Sequence, residues 1–193
     1  QLWSQTKVGY TPTLIVGYGG IFGENYWYQH TEVWKHPILS KWVPPSVLIP
    51  RSVRRTMAPE GDYNHVNNAI VVKELANLGV EVHIGAHGQR EGLGAHWEMW
   101  MLAQGGMKPM DILKVATISG AKYLGMDEQI GSIKKGKLAD LVILDVNPLE
   151  DIYQSDKVHA VMINGRLFDA QSLKELTGKW QPEKFYWQYT HNH

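Results

Sequence analysis

The sequence predicts an α/β fold followed by a small β unit, and three observations carry this prediction. A helical pattern of apolar residues over positions 63–78 ends at Gly79. A strand-like segment, residues 80–85, follows directly, and helix, glycine and strand in this order form half of a βαβ unit. Further along, Asn164 and Gly165 separate two apolar runs, which is the strongest short-range signal for a β-hairpin.

Composition limits the classes of function. The 193 residues, 44% of them hydrophobic, can build an ordinary domain with a core. The 19 basic and 19 acidic side chains balance, which argues against a nucleic-acid-binding protein. No run of about 18 apolar residues occurs, so no membrane span is expected. The absence of cysteine excludes disulfides, thiolate metal ligands and cysteine nucleophiles. Eight Trp and nine Tyr against three Phe suggest half-wet clefts or interfaces, since these rings carry a polar group.

In the first half of the chain, residues 13–16 form a short apolar run before a glycine-rich loop, which predicts a buried strand. Residues 18–59 are rich in aromatic residues and proline, and are expected to form functional loops or irregular helix. Asp62 is expected to cap the helix over residues 63–78. A further helix is predicted from about Ala95 to the glycines at 105–106, and Pro109 is expected in the opening turn of the next.

The second half of the chain has a different texture. Residues 139–144 read as an apolar strand, and the hairpin around Asn164 and Gly165 completes a β unit over about residues 127–170. The tail, residues 171–193, contains a candidate short helix and a polar-aromatic end. The expected segments are therefore 1–126, 127–170 and 171–193.

Three motifs suggest other functions, but none of the three is favoured. The loop GYGGIFG, residues 17–23, follows the predicted strand, but Phe22 stands where a dinucleotide-binding loop needs its third glycine. A nucleotide-binding module therefore rests on flexible glycines alone. His96 and Glu98 spell the His-x-Glu of a zinc deaminase whose cysteine ligands are missing. His191 and His193 could chelate a metal, although a frayed terminus is the simpler expectation.

The most informative cluster follows the predicted strand 80–85. Ligands of α/β proteins bind at the C-terminal ends of strands, and here His87, Gln89, Arg90 and Glu91 lie within a glycine-rich loop. His87 shares strand parity with His83, so both are expected on one side. The alternative is that His87 is a hydrogen-bonded structural residue.

The segment GSIKKGKLADLVILD, residues 131–145, resembles the closing signature of the metal-dependent amidohydrolase superfamily. ATISGAKYLG at 116–125 and VMING at 161–165 continue the resemblance, and GVEVHIG at 79–85 is similar to the eighth barrel strand. Residues 85–101 resemble the imidazolonepropionase-like and prolidase-like branch. More narrowly, they resemble proteins that join an amidohydrolase to an N-terminal Tol-type β-propeller.

The resemblance implies the C-terminal portion of a (β/α)8 TIM-like barrel over residues 1–126 and part of a small β-sandwich over residues 127–170. It also implies a divalent metal, with zinc expected, at the C-terminal face of the barrel. Such a metal lowers the pKa of bound water and polarises a carbonyl group. The family's ligands are a His-x-His pair on strand one, a carboxylated Lys or Glu on strand four, His residues on strands five and six, and an Asp after strand eight.

Carried over by position, the resemblance places residues 13–16 at strand seven, so most ligands are expected outside this chain. His87 stands at the position of the strand-eight Asp and is the expected metal ligand or catalytic base. The replacement indicates a rewired site, a single-metal site or no metal site. The other expected site residues are Tyr18, Gln89 and Arg90 for substrate, with His96 and Glu98 supporting the ligands from the following helix. Helix packing is the alternative role for Glu98.

Two functional hypotheses follow. The first is the C-terminal part of a hydrolase that cleaves amide, peptide or cyclic amide bonds of a small-molecule or peptide substrate. The second is a non-catalytic structural or interaction unit with a decayed metal site, because the Asp is replaced. Either way, the rest of the barrel or another copy of the chain is the expected partner, with no nucleic acid and no membrane. The resemblance is compatible with a periplasmic or secreted protein, although residues 1–20 show no signal-peptide pattern.

Overall fold

The computed structural model describes residues 2–17, 19–53 and 56–189. The α-helices of these ranges are α1 (Leu2–Thr6), α2 (Gly23–His30), α3 (Pro37–Trp42), α4 (Pro45–Val53), α5 (His65–Asn77), α6 (Leu93–Gln104), α7 (Pro109–Lys114) and α8 (Gly120–Tyr123). A π-helical turn, Val115–Ser119, joins α7 to α8. Short 3-10 helices lie at Leu14–Val16, Val33–Lys35, Glu60–Asp62, Ile152–Gln154 and Tyr186–Gln188. The strands are β1 (Leu141–Leu144), β2 (Val158–Ile163) and β3 (Arg166–Asp169).

Helices α5, α6 and α7 confirm the predicted helical segments of the first half. Helix α5 starts at His65 after a 3-10 turn that contains Asp62, and its N-cap residue is Asn64. The expected Asp62 cap is therefore wrong, because the chain makes a separate turn before the helix begins.

The predicted strand at residues 80–85 pairs in parallel with the segment around Tyr10. The backbone N–H of Tyr10 donates to the carbonyl of Glu81 at 2.8 Å, and the N–H of His83 donates to the carbonyl of Tyr10 at 2.9 Å. These bonds form one isolated parallel bridge, Tyr10 with Val82, rather than a long ladder. Strands that are joined through helices in βα units pair in parallel, as these two segments do.

The prediction of a strand at residues 13–16 is wrong. The 3-10 helix Leu14–Val16 occupies this segment, and Thr13 before it has a left-handed φ of 50°. The cause is a long-range contact, since the carboxylate of Glu98 in α6 accepts the N–H groups of Leu14 and Ile15 and bends the backbone into a turn. The glycine loop at 17–23 therefore follows a turn, and the strand that a dinucleotide site needs is missing there.

Helix α6 is the centre of the core. Most of its residues are buried. The rings of Trp97 and Trp100 pack against Trp27 of α2 at centroid distances of 6.3 and 5.1 Å. Tyr28 adds an edge-to-face contact with Trp97 at 5.3 Å. The expectation that the Trp and Tyr rings mark wet surfaces is wrong for this group, because α2 and α6 enclose them.

The C-terminal part confirms the predicted hairpin. Strands β1, β2 and β3 form an antiparallel sheet in that order. Asn164 and Gly165 connect β2 to β3 with positive φ values of 48° and 79°, as a two-residue hairpin turn demands. The sheet leaves Val142 61% and Ile163 58% exposed. The second layer of a β-sandwich remains a prediction.

A short junction attaches the β unit to α6. Ser155 Oγ accepts a hydrogen bond from Trp100 Nε1 at 2.9 Å, and Ile152 joins the main core. The tail packs on α3, since Trp42 Nε1 donates to the carbonyl of Gln171 at 3.0 Å. None of the helices in the described part of the chain is long and apolar enough to cross a membrane.

The packing of α6 against α5 can be tested at Gly105. A Cβ there would lie 2.5 Å from the carbonyl carbon of Ala69, so Gly105→Ala should lower the free energy of unfolding by about 1–3 kcal/mol. Gly120→Ala is the matched control, because it lies in a helix with nothing within 4 Å of the new Cβ. It should be neutral or stabilising by up to about 1 kcal/mol. Thermal unfolding of the full-length protein measures both, and equal shifts would contradict the close α5–α6 approach.

Candidate functional site

An open cleft of about 570 Å³ lies where the two parallel segments end. One wall is the segment from Tyr10 to Gly17, and helix α5 contributes Asn68 and Val71. His87 and Gln89 line the cleft from the loop that follows the predicted strand. Two of the predicted site residues therefore line one cleft, at the C-terminal end of the predicted strand.

His87 is exposed at the rim of this cleft. Its φ of 53° places it in the left-handed region, and Gly88 follows with a φ of 67°. A non-glycine residue in this region is uncommon and carries a small backbone strain. The turn lifts the His87 side chain away from the parallel bridge and towards the cleft.

Charged residues from α2 and α4 surround the loop. Arg51 of α4 donates to Gln89 Oε1 at 3.1 Å and lies 3.4 Å from Glu91 Oε1. Glu24 at the start of α2 is half-buried, and burial raises its pKa against the opposing charges of Arg51, Arg90 and His87. The loop is therefore held by α4 and faces a carboxylate of α2.

Arg90 lies beneath the loop, with a side chain that is 0% exposed. Its Nε donates to the hydroxyl of Tyr28 at 3.1 Å, and one Nη donates to Ser52 Oγ at 3.3 Å. The guanidinium carbon also lies 5.6 Å from the centroid of the Tyr28 ring. Arg90 is thus directed into the protein and does not line the cleft.

Glu98 is a buried carboxylate behind the cleft wall. Its two oxygens accept the N–H groups of Leu14 and Ile15 at 2.7 and 3.0 Å. Burial raises the pKa of Glu98 to about 7, while the two backbone hydrogen bonds act in the opposite direction. Glu98 does not line the cleft itself but hydrogen-bonds the backbone of Leu14, which does. These contacts are those of a residue that shapes the cleft wall.

His96 and His83 lie away from the cleft lining. His96 Nδ1 is 3.0 Å from Ser155 Oγ at the junction with the β unit, and burial lowers the pKa of its ring. The buried ring of His83 packs on Tyr123 of α8 at 4.5 Å, and burial lowers its pKa too. The shared strand parity of His83 and His87 therefore does not bring the two rings to one site.

The residues that the structure describes do not complete a metal site. Within residues 2–17, 19–53 and 56–189, no three His, Asp or Glu side chains are grouped so that they could hold a metal ion. His87 alone offers one nitrogen ligand at the cleft. Tyr18, the remaining predicted substrate-binding residue, lies outside the described residues, as do His191 and His193.

Sequence reasoning missed Glu24, Arg51 and Ser52. They are separated from the His87 loop by more than 30 positions, and an aromatic, proline-rich segment gave no pattern that would connect them. Polar residues at helix ends were the available signal. Only the packing of α2 and α4 against the loop shows what they contact.

The buried carboxylate of Glu98 predicts a specific pH dependence of stability. Its folded pKa of about 7 lies above the ordinary value of 4.5. Its stabilising contribution is therefore fully present below about pH 4.5 and is lost as pH rises through about 7. The stability advantage of the wild type over Glu98→Gln should fall over this window by on the order of 2–4 kcal/mol. Urea unfolding of both proteins at pH 5 and pH 8 measures the difference.

Glu74→Gln supplies the control, since Glu74 is an exposed carboxylate on α5. It should leave the pH dependence unchanged. Hydrogen exchange at the amides of Leu14 and Ile15 should accelerate in Glu98→Gln, because a side-chain N–H replaces one acceptor. Parallel pH curves for the wild type and Glu98→Gln would show that this carboxyl group has no raised pKa.

Comparison with known proteins gives the family context. A 5-methylthioadenosine/S-adenosylhomocysteine deaminase from Acetivibrio thermocellus is 30% identical over 107 residues, which cover 55% of this chain and 22% of the deaminase. An imidazolonepropionase from Picrophilus torridus is 46% identical over 56 residues, which cover 28% of this chain and 14% of that enzyme. The chain thus matches less than a quarter of the length of these two relatives.

Solved structures and the family match agree with this context. The crystal structure of a Xaa-Pro dipeptidase with bound methionine in the active site aligns with a TM-score of 0.50 and 28% identity, over 65% of this chain and 29% of the dipeptidase. The mixed α/β architecture is accordingly that of a TIM-barrel fragment. An imidazolonepropionase and a dipeptidase among these matches agree with the amidohydrolase superfamily that the sequence resembles. Residues 36–168, more than half of the 193-residue chain, match the amidohydrolase family model, and the chain belongs to that family.

Proposed function

We propose that this chain is the C-terminal part of a hydrolase that cleaves C–N bonds in a small-molecule or peptide substrate. The family match over residues 36–168 carries the proposal. Relatives named as a deaminase, an imidazolonepropionase and a Xaa-Pro dipeptidase all act on such bonds. The cleft at the end of the parallel segments, with His87 and Gln89 at its rim, is consistent with a ligand site in this position.

His87 is the proposed catalytic residue and metal ligand of this chain. Its ring is exposed at the cleft, where a neutral nitrogen can accept a proton or bind a divalent cation. A bound metal, with zinc as the proposed ion, would make hydroxide available near neutral pH. On this proposal, most of the metal ligands would come from barrel strands outside this chain.

The substrate side of the proposal involves Gln89 and Tyr18. The Gln89 amide lines the cleft and is oriented by Arg51 at 3.1 Å. Arg90, expected from the sequence to touch substrate, acts from beneath the loop instead. His96 and Glu98 support the site indirectly, His96 through the β-unit junction and Glu98 through the cleft wall.

The rest of the barrel, or another copy of the chain, would cover the exposed apolar surface. On this proposal residues 1–126 are the last barrel units, residues 127–170 are one portion of a β-sandwich, and residues 171–193 are a tail. Val142 and Ile163 on the three-stranded sheet supply apolar surface for the missing layer. The fusion to an N-terminal Tol-type β-propeller remains a prediction.

Substitution of His87 in the full-length protein tests the proposal. His87→Ala should reduce bound metal and lower kcat at least 100-fold on an Xaa-Pro dipeptide, an N-acyl amino acid or a cyclic amide, because a ligand and base is lost. His87→Asp should retain more metal, since the resemblance implies an aspartate here. Metal content by mass spectrometry and initial rates measure both effects.

His159→Ala is the matched control, because His159 is an exposed histidine of the β unit that pairs with Asp145 at 2.9 Å. It should leave metal content and rate unchanged. Unchanged metal and rate in His87→Ala would remove His87 from the mechanism. An inactive, metal-free wild-type protein would favour the non-catalytic interaction unit.

A further inference from the structure

The loop that carries His87, residues 86–92, is held in an unfavourable backbone conformation. His87 and Arg90 have left-handed φ values of 53° and 30°, although neither is glycine. A non-glycine residue in this region is strained and persists only when its surroundings enforce the conformation. Some contact must therefore determine the shape of this loop.

The buried contacts of Arg90 provide that constraint. Its guanidinium group joins the loop to Tyr28 of α2 at 3.1 Å and to Ser52 of α4 at 3.3 Å. Ser52 Oγ donates in turn to the carbonyl of Leu48 at 2.6 Å, so the serine is itself fixed. The planar guanidinium group orients several donors at once, which lysine cannot reproduce.

A second contact holds the loop from outside. Arg51, the residue before Ser52, reaches Gln89 and Glu91 on the solvent side at 3.1 and 3.4 Å. Two consecutive residues of α4 therefore engage the loop from its two sides. Of these contacts, only those of Arg90 lie wholly in the protein interior.

Burial of the Arg90 charge has a cost that packing alone does not explain. The side chain is 0% exposed, and one of its Nη atoms lies 3.8 Å from Glu91 Oε2, too far for a hydrogen bond. One Nη has no hydrogen-bond partner among the described residues. Burying a guanidinium group with incomplete compensation is unfavourable, because the charge loses its hydration. An apolar side chain of similar volume would avoid the loss of hydration. Packing alone therefore does not explain why a charged residue occupies this position.

We propose that Arg90 is a positioning residue that fixes the loop on α2 and α4 and so directs His87 towards the cleft. It does not bind substrate itself. The catalytic part of this inference rests on the proposed function, whereas the part that concerns loop conformation does not. Ligand affinity and turnover should consequently respond differently when Arg90 is changed.

Arg90→Ala and Arg90→Lys in the full-length protein test this role. Hydrogen exchange of the amides in residues 86–92 should accelerate at least tenfold in both variants. With a hydrolysed substrate, kcat should fall about 10- to 100-fold while KM changes less than threefold. Added ethylguanidine should restore part of kcat and of the exchange protection in Arg90→Ala, because it can occupy the vacated space between Tyr28 and Ser52.

Arg166→Ala is the control, since Arg166 pairs with Glu175 on the surface of the β unit at 3.0 Å and should alter neither quantity. Tyr28→Phe and Ser52→Ala each remove one partner and should give smaller effects in the same direction, which keeps the test decisive if Arg90→Ala fails to fold. A tenfold rise in KM with unchanged kcat and loop exchange would show that Arg90 binds substrate. If the wild type hydrolyses no C–N bond, the proposed function fails, and loop exchange alone decides the role of Arg90.

Discussion

The burial of most of helix α6 is the constraint on which the rest of the structure depends. A helix whose apolar residues are distributed around its circumference needs neighbours on several sides. Trp97 and Trp100 are met by the aromatic face of α2, and α5 approaches closely at Gly105. The junction of the β unit covers the remaining side through Ser155. Elements from the whole chain are therefore ordered around one helix.

The same burial explains the turn at the cleft. A carboxylate in the middle of α6 has to find donors inside the protein, because an unpaired buried charge is very costly. Glu98 finds them in the backbone of Leu14 and Ile15. The resulting 3-10 turn begins at Leu14 and ends the extended segment around Tyr10. The cleft wall is thus a consequence of satisfying one polar group in the core.

The loop of the candidate site is supported by an analogous arrangement. Arg90 is buried beneath the loop, and Glu98 is buried behind the cleft wall. Each is hydrogen-bonded to an element distant in sequence. His87 stands between these two supports and remains exposed at the cleft. On the proposed function, such support would hold His87 in a defined orientation at the cleft.

Local patterns in the sequence were enough to identify most of the helices, the hairpin and the family. Helical spacing located α5 and α6, the pair Asn164 and Gly165 located the hairpin, and the segment at residues 131–145 indicated the amidohydrolase family. These signals succeed because periodicity, turn residues and motifs are local. The turn at residues 14–16, the burial of the tryptophans and the burial of the Arg90 side chain were visible only in the tertiary structure. Each depends on a partner distant along the chain, such as Glu98 or Tyr28, and local patterns do not specify which distant groups will meet.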